Sequence, residues 1–127
     1  MKCLSVRFPW WWFIFHLPPL QAKDVENRDW PLPRELVGKN VLIHGAKGCT
    51  KKEFEEACTF AAKAGACKFP SFDDKRRGGI VGILIFRGYV RASESPWFVG
   101  KFGWEICRPY PLPFRPYTGQ LGFFEVT

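Results

Sequence analysis

Three residues with complementary chemistry fall within one short stretch: Lys23, Glu26 and Arg28 in AKDVENRDW, with Asn27 and Trp30 beside them. A carboxylate flanked by two cations can do one of three things. It can hold Arg28 as a fixed fork for a phosphate, act with a desolvated Lys23 as general base or nucleophile, or simply form a structural ion-pair network. The residue types leave all three open.

A second group is aromatic. Trp97 and Phe98 lie in SPWFVGKFGW, on a turn bounded by Pro96 and Gly100 with Lys101 next to them. Bases stack on exposed aromatic faces for roughly 1–3 kcal/mol each, and a neighbouring cation takes the adjacent phosphate. The competing role for both rings is to plug one end of the fold. Trp104 sits on a strand and reads as core. His44 ends a strand near glycine, with no Ser, Cys or carboxylate at a diagnostic spacing, and reads as a hydrogen-bonded structural residue. Lys75, Arg76 and Arg77, with Lys68, read most simply as a solvated loop, or equally as a widening of the basic footprint through counterion release. Tyr89, Tyr110 and Tyr117 offer phenols with no positional sign of use.

The whole-chain numbers narrow the partner. The 127 residues suit a single domain, 1–127, with a proper core. Nineteen Lys and Arg against 12 Asp and Glu leave +7, so nucleic acid or another anionic surface is the default partner class. The plain alternative is a protein that happens to be basic. The five cysteines are widely separated and form no CxxC pair, which gives no metal spacing, and no cofactor fingerprint is present. They read as reduced, mostly buried thiols of a cytoplasmic protein.

The elements that must position these groups begin with CLSVRFPWWWFIFHLPP. Only Phe8 to Phe15 are continuously apolar, against the roughly 20 residues of a spanning helix. Lys2, Arg7 and the short apolar core loosely imitate an export signal ending near Ala22. Against that, Leu4, Val6 and Phe8 alternate with Cys3, Ser5 and Arg7 as in a half-buried strand. Pro9 then suits a first helical turn, with Trp10, Phe13, Ile14 and Leu17 on the inner face and Trp11, Trp12 and Phe15 covering neighbours. Strands are expected at Val25 to Trp30 and Val41 to Ala46. Thr50 and Glu53 form a capping box for a helix through KKEFEEACTFAAK, with Phe54, Cys58 and Ala61 on one face, stopped by Gly65. A long strand, IVGILIFRGYVRA, is expected to bend at Gly82 or Gly88. Another runs from Lys101 to Cys107 before a proline-rich exit, and LGFFEV closes the sheet. The class is α+β, a small barrel with two or three flanking helices.

LSVRFPWWWFIF, KDVENRDW, LIHGAK following VGKNV, and SPWFVGKFGWEI occur in that order and together resemble an ASCH domain, a PUA-like β-barrel. The likeness spans most of residues 4 to 126, with the capped helix and the loop after it as the variable part. Ala22 stands where the family often has Gly. The resemblance implies a cleft beside the barrel that binds RNA, single-stranded nucleic acid or a nucleotide, with Ser5, Arg7, Trp10, Lys23, Glu26, Asn27, Arg28, Trp97 and Lys101 as candidate contacts and no membrane or cofactor. Some of the smallest relatives resemble hydrolases of acylated cytidine, and others ribonucleases. For an enzyme the catalytic pair would be Lys23 and Glu26, although Glu26 takes the place of the threonine that the amidohydrolase-like relatives have.

Overall fold

The computed structural model describes residues 1–127. Its strands are β1 (Lys2–Arg7), β2 (Val25–Arg28), β3 (Asn40–Ala46), β4 (Gly79–Val90), β5 (Phe102–Pro116) and β6 (Phe123–Glu125). Its helices are α1 (Trp10–Phe15) and α2 (Lys51–Lys63), with a 3-10 turn at Arg34–Leu36. The class is α+β, as the sequence implies.

All six strands form one sheet in the order β2-β5-β4-β3-β1-β6. Only β1 and β3 run parallel, and the other neighbours are antiparallel. The sheet curls into a half-barrel. Trp104 on β5 stacks on Phe123 of β6 with centroids 5.6 Å apart and planes 9° from parallel. Four strand spacings separate those strands, about 19 Å in a flat sheet, so the contact requires the curl. β4 permits it through three register shifts against β5, two of which adjoin Gly82 and Gly88. An extra residue on one strand increases local bend and twist.

The expected proline-rich exit is instead strand, and β5 continues to Pro116. β2 pairs only with Phe102 to Glu105, so the rest of β5 has β4 on one side and no strand on the other. Pro109, Pro111 and Pro113 lie in this stretch, where β5 is an edge broken by register shifts, the setting to which prolines are confined because they cannot donate to a ladder.

α1 is more deeply embedded than its spacing suggests. It is wedged between two cores: Trp11, Ile14 and Phe15 join Leu4, Val6, Val41, Phe86 and Trp104 on one side. Phe13 joins Leu17, Val25, Ala61 and Trp97 on the other. Trp11 and Phe15 are therefore buried, while Trp10 is half-buried against Phe13 and Phe60, the reverse of the single-faced helix expected. α2 starts as its sequence dictates. Thr50 Oγ1 accepts from the Glu53 N–H at 3.1 Å, and Glu53 Oε1 accepts from the Thr50 N–H at 2.9 Å. It ends before Gly65, at φ +106°. Ala57 and Ala61 are its buried residues, with Phe54 and Cys58 only partly covered.

β1 is covered on both faces. Opposite the main core, Cys3 packs with Ile80, Phe124 and Val126. All five cysteines are free thiols, but only Cys3 is buried, and burial pushes its thiol up to about 12. Cys67 is exposed and the other three are intermediate, which corrects the expectation of mostly buried thiols. No helix of the chain is long and apolar enough to cross a membrane.

Because β1 joins β3 to β6 and α1 fills both cores, a chain beginning at Lys23 should not fold. It is expected to show neither dispersed amide resonances nor a cooperative urea transition. A cooperative transition in that truncated chain would contradict the role given to β1 and α1.

Candidate functional site

Lys23 follows the turn after α1, where its N–H donates to the Phe13 carbonyl at 2.9 Å. Glu26 and Arg28 come from β2, opposite Trp104 and Phe102 of β5. Two residues apart on a strand, they share one face, and that face looks toward the barrel interior where Trp104 lies. Glu26 Oε1 accepts from Lys23 Nζ at 3.1 Å. Glu26 Oε2 accepts from Arg28 Nε at 3.0 Å and is ion-paired with Nη2 at 2.9 Å. Lys23 Nζ also donates to the Val25 carbonyl. Arg28 lies over the Trp104 ring, 5.6 Å from its centroid, and its Nη2 reaches the Ser5 carbonyl at 2.9 Å.

The network is buried, with Lys23 4% and Glu26 7% exposed. Charges taken out of water must be paired and hydrogen-bonded. Both oxygens of Glu26 are occupied, so no lone carboxylate is aimed at an empty space. The bonds leave Arg28 Nη1 and one Lys23 N–H uncommitted.

The other candidates divide. Ser5 joins the cluster through its carbonyl, while its hydroxyl donates to Gln120 O at 2.6 Å. Arg7 is exposed and pairs with Glu53 at 3.0 Å, apart from the network. Asn27 is committed on both sides of its amide: Nδ2 donates to Trp97 O at 2.9 Å, and Oδ1 accepts from the Val99 N–H at 3.1 Å. It pins the 95–99 turn rather than facing solvent. Trp97 is only 2% exposed and packs on Phe13 and Phe60, so it offers no open stacking face. Lys101 is exposed with no ion pair.

Two clefts flank these groups. A small one, about 370 Å³, lies between α1 and β5 and is lined by Ile14, Phe15, Leu17, Ala22, Lys23, Asp24 and Ile106 among others. Asp24 was not singled out in the sequence. Its Oδ1 accepts from Ser95 Oγ at 2.5 Å, and its second oxygen stays free. A larger cleft, about 1030 Å³, lies where Ser5, His44 and Lys47 meet the segment from Pro116 to Leu121. Nothing in the sequence pairs those segments, which are more than a hundred residues apart at Ser5 and Gln120. His44 is buried and its Nε2 lies 2.7 Å from the Tyr117 carbonyl, the structural role expected of it.

No family model matches the chain, and no curated protein matches it.

A third polar cluster bridges α1 and the loop before β4. Arg76 donates to both oxygens of Asp74 and, through Nη1, to His16 Nε2 at 3.2 Å, while its guanidinium lies over Trp11. Burial and the Arg76 charge push the His16 pKa below its ordinary 6.5. Burial pushes Asp74 up, but its bonds to Arg76 and that charge outweigh it, holding the carboxyl below its ordinary 3.8.

Two outcomes are expected. Glu26→Ala leaves the buried Lys23 and the partly buried Arg28 without a counter-charge and should cost about 3–5 kcal/mol, read from urea denaturation. Separately, unfolded His16 binds a proton below its ordinary 6.5 while the folded residue stays neutral to lower pH. The stability it contributes is complete above 6.5 and is lost as pH falls toward the folded pKa. The loss between neutral pH and pH 5 should be smaller in His16→Gln, and an identical pH slope in both proteins would remove His16 from the account.

Proposed function

We propose that this protein is an ASCH-type, PUA-like module that binds single-stranded RNA or a nucleotide and breaks no bond. The observation that carries the reading is the small cleft beside the buried network. Its walls are largely apolar, and Lys23 and Asp24 supply a donor and an acceptor on neighbouring residues. A volume of about 370 Å³ lies within the range of small-molecule clefts, which pair apolar walls with a few placed polar groups. Adjacent donor and acceptor are what the hydrogen-bonding edge of a nucleobase requires. Glu26 holds the Lys23 ammonium in position from behind, so the donor is ordered before the ligand arrives.

The formal charge of +7 supports a polyanionic ligand. Long-range attraction comes from cations outside any ion pair, such as Lys101, Arg87 and Arg91, rather than from the buried pair. Binding is favoured over hydrolysis by the same cleft. It is lined by no hydroxyl or thiol, and Glu26, already accepting from two cations, is not poised to take a substrate proton.

Ala22→Leu tests the cleft without altering charge, because the larger side chain grows into the space beside Lys23. Affinity for a short labelled single-stranded RNA should fall steeply with salt in both proteins. At fixed salt the variant should bind about tenfold more weakly, 1.4 kcal/mol, with its Tm retained. Equal binding by the two proteins would mean that surface charge alone carries the affinity. N4-acylated cytidine and single-stranded RNA should be recovered intact from wild type and from Lys23→Arg, whereas turnover present in wild type and absent in the variant would make Lys23 catalytic.

A further inference from the structure

The larger cleft lies apart from the smaller one and shares no lining residue with it, and Ser5, whose carbonyl accepts from Arg28, stands between the two. Ser5 on β1 and His44 on β3 are cross-strand partners. Each grips the segment after β5 by one carbonyl: Ser5 Oγ donates to Gln120 O at 2.6 Å, and His44 Nε2 lies 2.7 Å from Tyr117 O. A carbonyl only accepts, so His44 donates from Nε2. Its Nδ1 is buried and has no partner in the chain. Gly119 lies against the ring so closely that a Cβ there would stand 2.4 Å from His44 Cε1. The segment is thus fastened at two points and pressed onto the histidine, and only glycine fits at the point of contact.

Its donors are unused. The N–H groups of Thr118, Gly119, Gln120 and Leu121 reach no acceptor in the protein. In a trans peptide the N–H points opposite to the preceding C=O. The fastened carbonyls of Tyr117 and Gln120 therefore turn the Thr118 and Leu121 N–H groups away from the sheet. Lys47 lies across the same cleft, its stem packed along Gly78, where a Cβ would come within 2.7 Å of Lys47 Cε. It belongs to none of the six ion pairs. No Asp or Glu lines the cleft.

We propose that this cleft is a second ligand site, which holds a phosphomonoester of nucleotide size, with Lys47 and the free N–H groups of residues 118–121 on the phosphate. The charge is the right sign and has no internal competitor. Consecutive backbone amides with a nearby cation suit a phosphate, whose oxygens only accept. The volume of about 1030 Å³ accommodates the rest of the ligand beside Ala46 and Pro116. Because Ser5 and His44 already hold the segment, binding orders little additional chain. A free nucleotide and the phosphorylated end of a strand present the same group.

The test is an amide NMR titration of the intact protein with adenosine 5′-monophosphate, adenosine and inorganic phosphate. The monophosphate should shift the Thr118 to Leu121 resonances saturably, with adenosine at least about tenfold weaker. Lys47→Ala should weaken the monophosphate by a similar factor. Lys63→Ala, which removes an exposed charge from α2, should leave it unchanged, and because the readout is the Thr118 to Leu121 resonances, failure here is separable from failure at the smaller cleft. No saturable shift, equal effects of adenosine and its monophosphate, or equal effects of Lys47→Ala and Lys63→Ala would overturn the site. Equal affinity for inorganic phosphate would overturn its nucleotide size. A strand carrying a 5′-phosphate that binds more tightly than both the monophosphate and the same strand without it identifies a strand end as the occupant, and the opposite order identifies the free nucleotide.

Discussion

The half-barrel depends on a carboxylate held between two cations. Glu26 takes Lys23 on one oxygen and Arg28 on the other, and Arg28 carries the connection on to the Ser5 carbonyl. In sheet order β2 and β1 stand four strands apart, so this chain of bonds spans the gap that the curled sheet leaves open. Trp104 and Phe123 make the apolar counterpart of the same closure just inside it. A buried Lys23 and Glu26 with a partly buried Arg28, two positive charges and one negative, cost free energy unless they are paired. The arrangement therefore specifies one geometry of closure rather than adding cheaply to stability.

That closure explains how a six-residue helix can matter so much. α1 has no side-chain cap and is too short to persist alone. It holds because its indole and phenyl rings fill two cores at once, and because the chain leaving it returns Lys23 to Glu26. The same helix supplies one wall of the small cleft and β5 the other. The cleft, the network and the barrel closure are thus one mechanical unit, and a ligand in the cleft meets a lysine whose position is set by the fold.

Charge is distributed by depth. The buried cations are neutralised in part and positioned, while Lys47, Lys101 and most of the remaining basic residues stay outside any ion pair. Surface pairs such as Arg7 with Glu53 contribute little to stability. The unpaired cations attract anions at long range, and the two clefts offer polar groups at short range.

Local signals in the chain determined the local features. The alternation in CLSVRF, the Thr50 and Glu53 box, Gly65 and the bends at Gly82 and Gly88 act within a few residues, so their outcome was legible without a fold. So was the Lys23, Glu26 and Arg28 cluster, because residues two apart on a strand and three apart across a turn meet whatever the rest does. Tertiary packing decided the remainder. Asn27 and Trp97 have the residue types of a binding surface, but the turn from Ser95 to Val99 folds back on β2 and consumes both. Prolines argue against a strand until a free edge is available to receive them, and that edge exists only once β2 stops pairing at Glu105. The larger cleft joins Ser5 to Gln120 and His44 to Tyr117, contacts without a local pattern, since they depend on where the C-terminal segment crosses the sheet rather than on any spacing along the chain.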